Sequence, residues 1–388
     1  MTQDGDFALS LVRGDALLRL QRRIGMVPEA GLGVARRALA LATITWLPIA
    51  VWAALYGRAL SSPAGEPLLN HFGVQVRCLV AIPLFVIAEG VAHSLTTRLI
   101  PHFVRSGLVS EADRPRLREV LTSVAKLRDR VLPWALILGM AVAVQAIQSG
   151  ESHELVWAGD AAAPASLGFG GWWFAWVARP VFLALLFGWL WRLVLLCVLF
   201  RRIAGLDLAL VPTHPDGAGG LGFLEAAPAM FSPVVFGISA VLASRWAHDV
   251  LYHAVHVDTL RLQMIAVVVL ALLLFLTPLL LWSAPLRACK RRALLDYGTL
   301  VGEHGRLVRR RWILREPVGD AALLGAPEIG PVADTITLYE TVRKMRTIPI
   351  GRSTLLVIVL AAGLPMLSVL AIEIPIRDLL LKLVKSLV

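Results

Sequence analysis

The stretch Trp172–Arg202, WWFAWVARPVFLALLFGWLWRLVLLCVLFRR, restricts the fold of this chain more than any other. From Pro180 to Phe200 it is apolar except for Arg192. About 20 such residues cross the hydrocarbon layer of a bilayer as a helix, and strands of soluble proteins are far shorter. Trp172, Trp173 and Trp176 crowd one end, where indole rings favour the headgroup level, and Arg201 and Arg202 close the other. Basic residues are retained on the cytoplasmic side, so this span is expected to run from outside to inside. Its direction sets that of all the others.

Apolar runs at about 38–56, 74–95, 131–148, 229–243, 262–281 and 354–372 bring the expected crossings to seven. The chain is 57% hydrophobic with a mean hydropathy of +0.72, above the roughly 45–50% apolar content of soluble domains. The expected fold is therefore an all-α integral membrane protein: a bundle of seven transmembrane helices with a cytoplasmic helical layer and an amphipathic C-terminal helix.

Four regions follow. Residues 1–36 form a cytoplasmic N-terminal segment in which 7–24 read as an amphipathic helix lying on the membrane surface, Leu9, Leu17, Leu18, Leu20 and Ile24 opposing Arg13, Arg19, Arg22 and Arg23. Residues 37–283 carry the first six spans, with cytoplasmic loops at 96–130 and 201–228. Residues 284–353 are a cytoplasmic segment with helical stretches at 286–312 and 332–347. Residues 354–388 hold the seventh span and a tail with Ile376, Leu380, Leu383, Val384 and Leu387 on one face. Seven crossings put the N-terminus inside and the C-terminus outside, in the periplasm, with the tail flat on the outer surface. Abundant Ala, Leu, Arg and Trp with few Lys suggest a bacterial cytoplasmic membrane. No apolar core of a cleaved signal peptide precedes the first span.

The net charge of +11 sits beside the spans rather than on a basic stripe interleaved with aromatics. That pattern excludes nucleic acid as a partner and points to the lipid bilayer and its anionic headgroups. Cys78, Cys197 and Cys289 are isolated, which excludes a disulfide or zinc framework and leaves buried thiols.

Three groups of residues carry chemistry at helical or loop spacing. Glu89 and His93 lie four apart in the second span, and Arg192 sits at comparable depth in the fourth. Ionisable groups in hydrocarbon are costly, so these are candidates for a proton or ion path, or for a structural bond between Glu89 or His93 and Arg192. Arg77, Arg179, Gln145 and Gln148 are candidates to line an outer vestibule. Asp249, His253 and His256 would share a face if the helix of the short fifth span, interrupted by Ser232 and Pro233, continued through them; His248 would point aside. Two imidazoles and a carboxylate suit a divalent, zinc-like metal, with Glu151, Glu154 or Asp258 completing the shell, although an amphipathic polar face is the plainer reading. The loop THPDGAGG combines His214 and Asp216 with Gly217, Gly219 and Gly220. Its glycines let backbone amides approach an anion, and His214 with Asp216 suit acid–base work, but a turn docking one helix on another explains it as well. GAGGLG imitates a dinucleotide fingerprint without the strand that should precede it. No Walker, nucleophile-elbow or HExxH motif is present, and no certain cofactor follows.

LVPTHPDGAGGLGFL after the fourth span, with ADTITLYETVRKMRTIPIGRSTLL leading into a span ending in LPMLSVL, resembles an uncharacterised family of bacterial multi-pass inner-membrane proteins with no known activity. The resemblance covers roughly the C-terminal half and implies a shared helical membrane fold and no residue roles. The residues themselves lead to an oligomeric channel or transporter for a small ion or solute. The alternative is a membrane-embedded metal-binding enzyme or sensor using Asp249, His253 and His256, or His214 and Asp216.

Overall fold

The computed structural model describes residues 7–28, 31–60, 67–148, 157–158, 168–317 and 330–373. The expected tail at 374–388, and Glu151 and Glu154, lie outside them. Among the described residues the chain is almost entirely helical, with no strand beyond one antiparallel bridge between Val109 and Leu208. Seven helical stretches are long and apolar enough to cross a membrane, in the seven places where the apolar runs put them.

Short α1 (Ala16–Arg23) precedes α2 (Val34–Leu55) and α3 (Phe72–Arg105). Next come α4 (Arg114–Arg128), α5 (Val131–Gln148) and α6 (Phe169–Ile203). Tight turns over Gly222–Phe231 lead into α7 (Ser232–Tyr252), followed by α8 (Val257–Leu280). Helices α9 (Ser283–Val308) and α10 (Gly330–Lys344) pack on each other, and α11 (Arg352–Glu373) lies along α7.

The apolar helices keep much of their surface uncovered. The Val257–Leu280 helix has a mean hydropathy of 2.6, yet only 33% of its most apolar window is buried. Leu262, Ile265, Leu270 and Leu273 on it, and Leu356 and Leu360 on α11, face outward. Water would penalise a continuous band of this kind, whereas acyl chains would not.

Proline shapes two of the helices. Pro83 in α3 and Pro180 in α6 lack the N–H that would bond the carbonyl four residues back. In each case the turn just before has widened by one residue. Ile82 N–H reaches Arg77 O, and Arg179 N–H reaches Phe174 O, five residues back. Such π-turns occur mostly as single insertions in α-helices and often at functional sites. Here each one borders Arg77 or Arg179.

The short fifth span is where expectation and structure part most clearly. Ser232 and Pro233 do not interrupt it; they begin α7, where a proline's missing N–H costs nothing. The helix does continue past Ala243, as its pattern implied, but only to Tyr252. The N-terminal segment also differs. Only Ala16–Arg23 is regular helix, and instead of lying on a surface the segment buries Phe7, Leu9, Leu11, Val12 and Leu18 in the main core with α3, α4 and α6.

Candidate functional site

Helices α3 and α6 run side by side in the same direction. Arg77 and Arg179 share the end marked by Trp172 and Trp173, while Glu89 and Arg192 meet deeper, about 18–20 Å along the helices. The two ends of the bundle, here the tryptophan end and the Arg201 end, hold different chemistry.

Towards the Arg201 end lies a buried ion cluster. Arg192 Nη2 donates to Asp15 Oδ2 and to Glu89 Oε1, both at 2.8 Å. Arg37 Nη1 lies 2.6 Å from Glu89 Oε2, and Arg37 Nε donates to Gln21 Oε1 at 2.7 Å. Two arginines and two carboxylates balance, and none of the four side chains is more than 2% exposed. Asp15 also caps α1 by accepting the Leu18 N–H at 2.7 Å. The Arg192 guanidinium lies 5.0 Å from the Trp189 ring and 5.7 Å from that of Trp134. Its Nε and Nη1 have no hydrogen-bond partner among the described residues.

Glu89 and His93 do not bond to each other; Glu89 makes the bond to Arg192 that the sequence also allowed. Glu89 is claimed by Arg192 and Arg37, while His93 turns away and its Nδ1 lies 2.9 Å from Ser10 Oγ. The N-terminal segment supplies the partners. Besides Asp15, Gln21 and Ser10, it is held by Arg128, which donates to Ser10 O, and by Arg19, which donates to Asp129 O at 2.7 Å.

At the tryptophan end the bundle opens into a cavity of about 660 Å3. Arg77, Arg179, Arg245, His71 and His248 line it, with Asp249, Phe72 and Phe182. Arg77 is held 5.4 Å from the Phe174 and Phe182 rings, and Arg179 5.1 Å from Phe174. The His71 and His248 rings stack at 5.2 Å. Arg77 and Arg179 occupy the expected vestibule; Gln145 does not line it and is fully buried, and the Gln148 side chain lies outside the described residues. His248, expected to point aside, faces the cavity instead.

Asp249, His253 and His256 do not share a helical face. Helix α7 ends at Tyr252, His253 is its cap, and the chain turns at Ala254 with a φ of 53°. His256 then caps α8, with its Nδ1 3.7 Å from Glu373 Oε1. Among the described residues no three His, Cys, Asp or Glu side chains are grouped as metal ligands. The spacing held only while the helix was taken to continue.

The His214–Asp216 loop is built around the Asp216 carboxylate. Oδ1 accepts the Ala218 and Gly220 N–H groups at 2.8 and 3.2 Å, and Oδ2 accepts that of Gly222 at 2.7 Å. His214 Nδ1 stands 2.9 Å from Oδ1. Burial by itself would push this carboxyl up, but the three amides and the imidazole outweigh it and hold it below the usual aspartate range. Gly217, Gly219 and Gly220 have φ of 62°, 66° and 94°, which side chains with a Cβ seldom adopt and which turn those amides inward. The loop is clasped by Arg346. Its backbone N–H donates to Gly217 O and its Nη2 to Asp216 O, both at 2.7 Å, and its Nη1 lies 2.6 Å from Glu225 Oε1. Thr354 Oγ1 completes the joint on Glu225 O at 3.0 Å. The THPDGAGG loop and the segment leading into α11 thus touch each other here.

Sequence reasoning missed Asp15, Gln21 and Arg37 in the ion cluster, and Arg346 and Glu225 in the joint. Asp15 left one trace, an aspartate directly before a helical ALLRLQRR. Arg37 left none, since a basic residue at the start of a span reads as a topology signal.

No family model, curated protein or solved structure matches the chain. The functional reading rests on its own residues.

Proposed function

We propose that this chain is a multi-pass membrane transport protein for a small anionic solute, with the cavity at the tryptophan end as its binding vestibule. The observation that carries the reading is that cavity: about 660 Å3, lined among the described residues by Arg77, Arg179 and Arg245 with His71 and His248, and by the carboxylate of Asp249. A concave site lined by cations with low-dielectric walls concentrates anions. Phe72 and Phe182 suit a solute with an apolar part beside its charge.

The other end supports a gated carrier over a permanently open pore. There the bundle is closed by the Asp15–Arg192–Glu89–Arg37 cluster and the buried N-terminal segment. In this reading the tryptophan end faces outward and the Arg201 end faces the cytoplasm of a bacterial cell, following the positive-inside pattern.

Purified protein reconstituted in liposomes tests the reading. Tracer influx of phosphate, acetate and benzoate is expected to exceed that of protein-free vesicles for at least one anion, and to fall in Arg77→Ala and Arg245→Ala. Silent vesicles with every anion, at acidic and neutral pH, would sink it.

A further inference from the structure

We propose that Arg192, with Arg37, forms a second anion site, one that takes a carboxylate, and that Asp15 is its tethered occupant. The N-terminal segment then acts as a plug whose acidic tip fills this site and closes the Arg201 end. The inference stands on the cluster and does not require the transport reading.

Charge balance is the first ground. Glu89 alone leaves two arginines against one carboxylate, and Asp15 brings the group to neutrality. An uncompensated charge at sites no more than 2% exposed is strongly destabilising, so if the segment leaves, another anion must take its place or the helices must part. The second ground is spare capacity. Arg192 reaches both carboxylates through Nη2, while its buried Nε and Nη1 have no hydrogen-bond partner among the described residues. The site therefore has more donors than its resident carboxylate uses. A planar guanidinium presents paired N–H groups suited to bidentate carboxylate binding. The Trp189 and Trp134 rings lie 5.0 and 5.7 Å from the guanidinium.

The third ground is the way the occupant is attached. Asp15 comes from a segment near the chain's N-terminus, 177 residues from Arg192 in sequence. Its other polar anchors are side-chain bonds that can be broken singly: Gln21 from Arg37, Ser10 to His93, Arg128 to Ser10 O, and Arg19 to Asp129 O. The segment has buried apolar side chains, but it is not one of the seven long apolar helices. It can withdraw without pulling a span from the bundle.

The test uses the full chain in detergent and acetate as the probe, because the methyl and carboxylate of acetate correspond to the Cβ and carboxylate of the aspartate side chain. Asp15→Ala is expected to melt well below wild type and to regain stability as sodium acetate rises, whereas gluconate at equal ionic strength is too bulky to help. Wild type should not respond over the same range. Asp15→Asn, which keeps the side-chain shape, gives the second readout. Trypsin cleavage after Arg13 and Arg19, followed by mass spectrometry, should be about a hundredfold faster than in wild type. If acetate leaves Asp15→Ala unchanged, or if Asp15→Asn is cut as slowly as wild type, the site and plug are refuted. Should Asp15→Ala fail to fold, the Asp15→Asn cleavage decides alone. Acetate rescue and rapid cleavage in a protein that moves no anion would uphold this inference and end the transport reading; anion flux without either would do the reverse.

Discussion

Arginine meets opposite fates at the two ends of this bundle. At the tryptophan end Arg77, Arg179 and Arg245 line a cavity of about 660 Å3, and two of them rest against phenylalanine rings. Towards the other end Arg37 and Arg192 are buried against Glu89 and Asp15, and Arg346 is spent on Glu225 and three backbone carbonyls, counting its own N–H. A guanidinium enclosed by helices needs a carboxylate of its own, and Arg37 and Arg192 find theirs in Glu89 and Asp15. In the proposed transport reading the arginines of the cavity, with water-sized space beside them, are the ones that meet the solute.

The contrast is easiest to break at Glu89, which joins both buried arginines. Glu89→Ala should cost about 3–5 kcal/mol, because it strands charge in the core. Thermal unfolding in detergent measures it; a loss below about 1 kcal/mol would mean that water reaches the cluster. Arg346→Ala comes next, at about 2–3 kcal/mol, since it removes an ion pair and hydrogen bonds from one joint. Denaturant titration of that variant, and of Arg346→Lys, separates the clasp from simple charge.

Asp216→Asn should cost less, about 1–2 kcal/mol, because an amide oxygen retains some of the N–H bonds. Its pH dependence sharpens the point. The native carboxyl sits below the ordinary value of 3.8, so its contribution is complete above that value and fades as pH falls below it towards the depressed native one. The gap in melting temperature between wild type and Asp216→Asn should therefore close only in that acidic window; a gap that closes nearer neutrality would contradict the loop geometry. The smallest effect on stability belongs to Arg245→Ala, within about 0.5 kcal/mol, because its side chain is exposed. If the cavity serves an anion, that same variant should weaken binding of the transported species, as read by tracer competition.

Much of the fold was legible because a membrane helix is a local property. The run from Pro180 to Phe200 announces its own length and ends, and the other six runs do likewise. The site was harder. Arg77 and Arg179 could be placed together from their shared position at span ends, and Arg192 could be offered to Glu89 from its depth beside the four-residue neighbour His93, but nothing in the sequence pointed to Arg37 or Asp15. The partners of Glu89 come from α2 and α6, with Asp15 beyond them. Likewise, the Asp249–His253–His256 face assumed an unbroken helix, and the turn at Ala254 removed it.

What the sequence determined alone is the number of apolar helices and their approximate limits. These follow from side-chain hydrophobicity and backbone sterics acting within a turn or two. Only the tertiary structure decided which charges neutralise each other, that residues 7–24 enter the core, and that the THPDGAGG loop meets the segment before α11 at Arg346. The reason is that a buried charge must find its opposite wherever the fold brings one within about 3 Å, and distance along the chain carries no information about that.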